Sequence, residues 1–336
     1  MRNSINIRFA NIEDEEKIIN FIKNNWNKEH IFVKEPKIFE YQHLNDEELY
    51  YVIAIDENKE IVGVCGYIPY NNENQDICQA LWKVVKNSNN SIGVQMLQFL
   101  KEKSKCRVLF CNGINDKIIP IHKFLGNYVG QLKHYYRISD KDNYNIAIIN
   151  DKKILEISER EFELKIIESF EQLIDIFNIK KYRNRRPYKD EKYINHRYFK
   201  HPIYKYIVLG INKNKKEIDS IIIGREIKQN NAIVFRIVDF IGLDKDLIGI
   251  SFAIEKLIDD NNYEYIDFYN YGISNEIMNK AGFILKSNND RNIIPNYFEP
   301  FEQKNIDINF FASDIKNFYL FKADGDQDRP NLIESL

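Results

Sequence analysis

Apolar and polar residues alternate along INIRFA (5–10) with the period of a half-buried strand, and Asn11 follows with Asp14 three residues on. That spacing predicts a helix capped by Asn11 with Asp14 at its positive end; Ile18, Ile19, Phe21, Ile22 and Trp26 then recur at helical intervals. Two apolar runs, YYVIAID (50–56) and EIVGVCGYIPY (60–70), flank the polar Glu57-Asn58-Lys59 and predict a hairpin. The strand-like ICQALWKVVK (77–86) leads through polar NSNNS (87–91) into a helix whose apolar face is Ile92, Met96, Leu97 and Leu100. RVLFC (107–111) reads as a buried strand and IIPIHKFLG as a short helix ending at Gly126; YVGQLKHYYRI and NYNIAII read as two closing strands.

A charged connector, DKKILEISERE (151–161), separates this unit from a second one. The second unit opens with FELKIIE (162–168) and continues through IYKYIVLGI, EIDSIIIGREI and AIVFRIVDFIG. A helix at 247–260, the strand YEYIDFYNYG and a short helix ending at Gly282 complete it. Alternating strands and helices with an early hairpin place the chain in the mixed α/β (α+β) class. The expected organisation is a domain over 1–150, a linker over 151–161, a second domain over 162–300 and an extension over 301–336, whose polar end FKADGDQDRPNLIESL reads as a frayed terminus.

The two units repeat each other. Ile92-Gly93-Val94 opens a helix in one, and Ile248-Gly249-Ile250 lies in the matching helix of the other. The next strands end in Asn112-Gly113-Ile114 and Tyr271-Gly272-Ile273, and each following helix closes on a glycine. The spacing agrees: 126 − 93 and 282 − 249 are both 33.

Composition narrows the function. Lys plus Arg is 48 against 50 for Asp plus Glu, so there is no global basic field for nucleic acid, which is disfavoured as a partner. No apolar run is long enough to span a bilayer and the start is acidic and polar, so no membrane insertion and a cytoplasmic location are expected. Cys65, Cys78, Cys106 and Cys111 form no CxxC pair and read as free buried thiols, with no metal site expected.

Strand, polar loop, helix with glycine in its first turn, strand, and a short helix ending in Leu-Gly: this order resembles the GNAT superfamily of acyl-CoA-dependent acyltransferases, here as two tandem GNAT-like domains. The resemblance spans 5–150 well and 162–290 more loosely. It implies acetyl-CoA, or another short acyl-CoA, as cofactor, its pyrophosphate held by amides at a helix start, where N–H groups lack internal partners and a glycine lets phosphate approach. The implied cofactor residues are Val84, Val85, Lys86, Ser88, Asn89, Asn90, Ser91, Ile92, Gly93 and Val94, with Asn115 just after the next strand. The family pattern Arg/Gln-x-x-Gly-x-Gly/Ala is altered: Ser88 stands at the long polar position and Ser91 at the first glycine. The second copy offers Asp244-Lys245-Asp246, whose carboxylates repel a pyrophosphate, so the first unit is the expected binder and the second a degenerate copy.

The resemblance also implies a proton donor four residues before the helix-ending glycine. His122 stands there, in place of the family's tyrosine. The strand QALWKVVK carries no carboxylate to act as base. Candidate acceptor residues are Trp26, His30, Gln42, His43, Trp82 and His134, polar or aromatic groups within apolar stretches. Arg236 and Asp239 join them, as either a structural ion-pair set with Asp267 or an acceptor-recognition site. The basic run Lys180-Lys181-Tyr182-Arg183-Asn184-Arg185-Arg186 is either a solvated face or a contact for phosphates. The resulting expectation is an N-acyltransferase acting by direct attack of an acceptor amine, the acceptor being an amino sugar, possibly nucleotide-linked, of surface-glycan biosynthesis. Two rivals are a tandem-GNAT aminoacyl ligase using charged tRNA and a non-catalytic scaffold. The sequence leaves the oligomeric state open.

Overall fold

The computed structural model describes residues 5–331, apart from 47, 74, 87–90, 157–160, 214–216 and 288. Two sheets share one strand order. The first runs Asn6–Asn11, Glu48–Ile55, Ile61–Pro69, Asp76–Val84, Val108–Asn112, Asn309–Ala312, Tyr128–Gln131. The second runs Glu163–Ile167, Ile207–Asn212, Ile221–Gln229, Ala232–Ile241, Tyr265–Tyr271, Lys133–Ile138, Ile284–Leu285. In each the fourth and fifth strands are parallel, and the other pairs along this order are antiparallel.

The sixth strand of each sheet comes from the other half of the chain. Leu132 is the only residue between Tyr128–Gln131 in the first sheet and Lys133–Ile138 in the second. Its N–H donates to Ile308 O (2.9 Å), immediately before the strand that crosses the opposite way. Sheet membership therefore does not follow the boundaries expected at 150 and 300. A long antiparallel register, from Tyr265↔Ile138 to Asn270↔Lys133, holds one exchanged strand, and Phe310↔Asn112 to Ala312↔Phe110 holds the other.

Several other expectations are met within a residue or two, but the helix expected at 247–260 begins at Ser251, after a 3-10 segment Asp244–Ile250 that holds Gly249. The hairpin is Glu48–Ile55 with Ile61–Pro69, and the glycine-bearing helix is Ile92–Ser104. Gly126 and Gly282 both close short helices with positive φ (75° and 88°), the left-handed turn that glycine adopts without strain. NYNIAII forms no strand: the N–H groups of Asn145, Ile146 and Ala147 donate instead to the Glu264 carboxylate (2.7, 2.9 and 2.7 Å).

The frayed terminus is a second correction. Phe318, Leu320, Phe321, Ala323, Asp324 and Asp328 are all buried, because the tail runs between the halves and supplies core to both. Lys322 is buried with it, its ammonium 5.8 Å from the Tyr269 ring. Burial lowers its pKa to about 7. A base with its folded pKa below its unfolded one destabilises the fold fully below pH 7, and the penalty is relieved as pH rises toward 10. Lys322→Met is therefore expected to melt several degrees above wild type at pH 6, with the gap closing toward pH 10; equal melting points at pH 6 contradict this.

Candidate active site

Each sheet opens where its two parallel strands part. In the first, pairing runs only from Asp76↔Val108 to Cys78↔Phe110; in the second, from Phe235↔Ile266 to Ile237↔Phe268. A bulge follows at once on the fourth strand of each: Tyr67↔Gln79 steps to Cys65↔Trp82, and Gly224↔Ile237 steps to Ile223↔Asp239. A bulge increases local twist, which drives the strands apart and leaves a cleft at matching points of the two halves.

The chain fills the second cleft itself. Leu320–Phe321 pairs with Tyr271 and Asn270 on one side, and Ala323 N–H donates to Val238 O (2.9 Å) on the other. The Phe321 ring joins the core formed by Leu247, Ile250, Ile254 and Met278. The acidic loop before it has structural partners: Asp246 accepts from Ser220 Oγ (2.7 Å) and pairs with Lys213, and Asp244 pairs with Arg185.

Among the described residues no tail strand pairs across the first cleft, and where the second leaves only the Asn270 amide unpartnered on its parting strands, the first leaves more. Gln79 Oε1, Trp82 Nε1, Asn112 Oδ1 and His122 Nε2 are buried without a hydrogen-bond partner. All four stand on the parting strands or on the short helix after them, and a buried orphan costs about 1–3 kcal/mol. The tail touches this cleft through loop contacts: Asn112 Nδ2 donates to Phe321 O (2.9 Å) and Asp324 O (3.2 Å), Gly325 lies against Cys78 Sγ, and the Gln327 side chain lies against Gly113. Trp82 lies over Gly93, so a Cβ on that glycine would stand 2.7 Å from its ring; packing is thus one reason for the glycine. The amides of the first turn of Ile92–Ser104 lack intrahelical partners by helix geometry. Val84 and Val94 are half-buried, Ile92 and Gly93 buried, Lys86 and Ser91 exposed, and Val85 N–H donates to Val62 O (2.9 Å). Ser88, Asn89 and Asn90 lie outside the described residues.

His122 is fully buried, stacked on Phe311 of the exchanged strand (3.7 Å), with Nδ1 3.2 Å from Asn127 Nδ2. Burial lowers its pKa to about 4, which favours the neutral imidazole at pH 7. Its unpartnered Nε2 remains available as a hydrogen-bonding group. Asn115 caps the turn that follows it, accepting from Lys117 N–H (2.9 Å), and is exposed.

A cavity of about 290 Å³ opens between the halves, on the side of the sheet covered by Pro36–His43 and Glu191–Ile194. Gly325 and Tyr70 line it, and Gly325 also touches the rim of the first cleft, so cavity and cleft adjoin. The wall carries Tyr41, Tyr50 and Tyr70 with Gln42, Asn45, Asn71 and Asn72. Beneath it, Tyr70 Oη donates to Asp324 Oδ1 (3.1 Å) and accepts from Gly325 N–H (2.7 Å). Burial raises Asp324 to about pKa 6, partly offset by Lys189, which bridges it to Asp239 (2.8 and 2.6 Å).

Of the acceptor residues read from sequence, Gln42 lines this cavity. His43 lies behind it, enclosed by Phe32, Phe39 and Tyr51, with its pKa lowered to about 3 by burial. His30 caps a helix, accepting from Phe32 N–H (3.2 Å), and is likewise lowered to about 3. Trp26 is 51% exposed on another surface beneath Lys83. Trp82 belongs to the cleft rather than the cavity.

His134, Arg236 and Asp239 sit in buried ion pairs away from the cavity wall, which is the structural alternative given for Arg236 and Asp239. Arg236 forks onto Asp267 (2.9 and 2.8 Å) and donates to Pro295 and Asn296 carbonyls; His134 approaches the same carboxylate (3.3 Å). Asp239 binds Lys189 and the Tyr198 hydroxyl. The basic run is neutralised too: Lys181 pairs with Asp219, Arg183 with Glu73, Arg185 with Asp244 and Arg186 with Asp314. Residues missed in the sequence include Tyr41, Tyr50, Tyr70, Asp190 and Arg197, which are scattered over five segments and carry no local signature.

No protein-family model matches the chain, and no curated protein matches it in sequence. Solved structures do. A GCN5-related N-acetyltransferase from Anabaena variabilis aligns over 92% of this chain and 72% of its own, with TM-score 0.57 and 8% identity. A probable N-acyltransferase from Enterococcus faecalis aligns over 92% and 72%, with TM-score 0.58 and 10% identity. The chain therefore has the fold of GNAT acyltransferases, in two pseudo-equivalent halves. Among the described residues no helix is long and apolar enough to cross a membrane.

Proposed function

We propose that the protein is an acyltransferase that binds acetyl-CoA, or another short acyl-CoA, in the first cleft and takes its acceptor amine from the adjoining cavity. The observation that carries this reading is the contrast between two clefts of one design. In the second the tail pairs as a strand and only the Asn270 amide on the parting strands is without partners, whereas in the first no tail strand pairs across the gap and Gln79, Trp82, Asn112 and His122 each keep an unpartnered buried atom, among the described residues. A ligand entering between Asp76–Val84 and Val108–Asn112 gives those atoms partners, provided Trp82 gives way over Gly93.

The coenzyme supplies an acyl group activated as a thioester. The chain supplies the rest: first-turn amides of Ile92–Ser104 for the pyrophosphate, the cavity to hold the amine, and Tyr70 hydrogen-bonded to Asp324 as a route for its proton. Asp324, brought by the tail, takes the place of the carboxylate missing from the strand itself. The acceptor is read as an amino sugar, possibly nucleotide-linked and belonging to surface-glycan synthesis. A wall holding tyrosines together with Asn and Gln amides suits a hydroxyl-bearing ring.

Trp26 and Trp82 are the two tryptophans, so a Trp26→Phe variant reports on Trp82 alone. Acetyl-CoA is expected to change its emission and to raise the melting temperature by about 2–3 kcal/mol worth of linkage at 100 times Kd. Free-thiol release with an amino-sugar panel then tests transfer. If emission and melting are both unmoved by acyl-CoA of any chain length, the chain is a scaffold; a response to charged tRNA alone makes it an aminoacyl ligase.

A further inference from the structure

Arg197 is 8% exposed, lines the cavity, and has no carboxylate within ion-pair distance among the described residues. Its Nη2 donates to two main-chain carbonyls, Asp328 O (2.7 Å) and Ala323 O (3.4 Å), and its Nε has no partner. The carboxylate of Asp328, whose carbonyl Arg197 binds, is taken: Arg225 forks onto it (2.8 and 3.1 Å) and Tyr206 Oη donates to it (2.9 Å). This is exceptional among the buried arginines of the described residues. Each of the other described arginines except the exposed Arg291 pairs with an acidic side chain, including Arg107 with Asp76, Arg137 with Glu255, Arg236 with Asp267 and, in the same cavity wall, Arg329 with Asp326.

A buried guanidinium without a counter-charge is costly, and proteins pair such groups or reserve them for a ligand. The geometry points to an anionic ligand: we infer that the cavity takes an acceptor bearing a carboxylate or phosphate group, seated against Arg197. The other charges around the cavity leave that role to Arg197. Asp190 is spent capping Tyr193 N–H (2.8 Å) and accepting from Asn72 N–H (2.8 Å), Lys192 donates to Asn45 Oδ1 (2.8 Å), and Glu48 stands exposed at the rim. A planar fork favours a two-oxygen anion over a neutral hydroxyl. The inference deepens the acceptor side of the reading above and rests on it for the word acceptor, but not for the binding of the anion.

The test is calorimetric titration of the full-length protein, without coenzyme, with glucosamine, glucosamine 6-phosphate and an aminouronic acid. The phosphate and carboxylate arms separate the two sources of charge. At least one anionic sugar is expected to bind about 10–100-fold more tightly than glucosamine, and Arg197→Gln is expected to erase that preference. Because Gln loses the bonds to the tail carbonyls, Arg197→Lys serves beside it; it keeps the charge and is expected to fold while losing about tenfold toward the anion. Equal affinity for all three sugars overturns the inference, as does an anion preference that survives in both variants. Anion binding without thiol release removes the acyltransferase reading and leaves this one standing. Thiol release at one KM for neutral and charged amines does the reverse.

Discussion

Ending the chain after Asp307 is expected to abolish folding of both halves, not just of the second. The deletion removes Asn309–Ala312, the sixth strand of the first sheet, and with it buried Phe310, Phe311, Phe318, Leu320 and Phe321. Burying one such side chain contributes about 1.5–3 kcal/mol, and five together rival the 5–15 kcal/mol by which a whole domain is stable. The loss falls on both sheets, since Phe311 stacks on His122 in one and Phe321 fills the cleft of the other. Circular dichroism melts and solubility on expression check this. A cooperative melt from a fragment ending near residue 150 contradicts it, because that fragment lacks the strand between Val108–Asn112 and Tyr128–Gln131.

Replacing Asp267 by Asn is expected to cost about 3–5 kcal/mol and to lower the melting temperature on the order of 10 °C. The substitution leaves Arg236, 1% exposed, with no charge opposite it. Burial by itself raises the pKa of Asp267, but Arg236 and His134 outweigh it and hold the carboxyl below its ordinary value. A carboxylate with its folded pKa depressed contributes stability that is present above its unfolded pKa and lost as pH falls through the folded one. Acid unfolding of wild type therefore sets in below about pH 4, and the Asp267→Asn melt depends less on pH there. The double variant Arg236→Met, Asp267→Leu is expected to recover most of the loss, since the penalty lies in the unpaired charge. A single variant within 1 °C of wild type sinks the argument.

Local order was readable where local chemistry decides it. Asn11 and Asp14 meet as the spacing requires, with Asn11 N–H donating to Asp14 Oδ2 (2.9 Å). The 33-residue repeat reflects two helices of equal place in their sheets, each closed by a left-handed glycine. What escaped was long-range. KHYYRI has the same alternation whether it closes its own sheet or another, and only pairing with Tyr265–Tyr271 decides between them. The tail looked polar because its Asp and Lys residues count as solvent-seeking, yet Asp324 and Asp328 are satisfied inside by Lys189 and Arg225. A histidine in an aromatic stretch carries no sign of whether it faces a ligand or the core; His30, His43 and His134 are neighbours of rings that enclose them. The cavity was invisible because its walls come from three stretches far apart in the chain, within 38–72, 190–201 and 325–330.

The crossing at Leu132 also governs how this chain is made. A ribosome releases residues 6–131 long before 309–312 emerge, so a nascent sheet waits with Val108–Asn112 unpaired on one edge. Waiting edges pair with whatever strand is near, including another nascent copy. Translation speed and chaperone supply thus become determinants of yield, and slowing elongation ahead of codon 309 lengthens the window in which neighbouring chains trade strands.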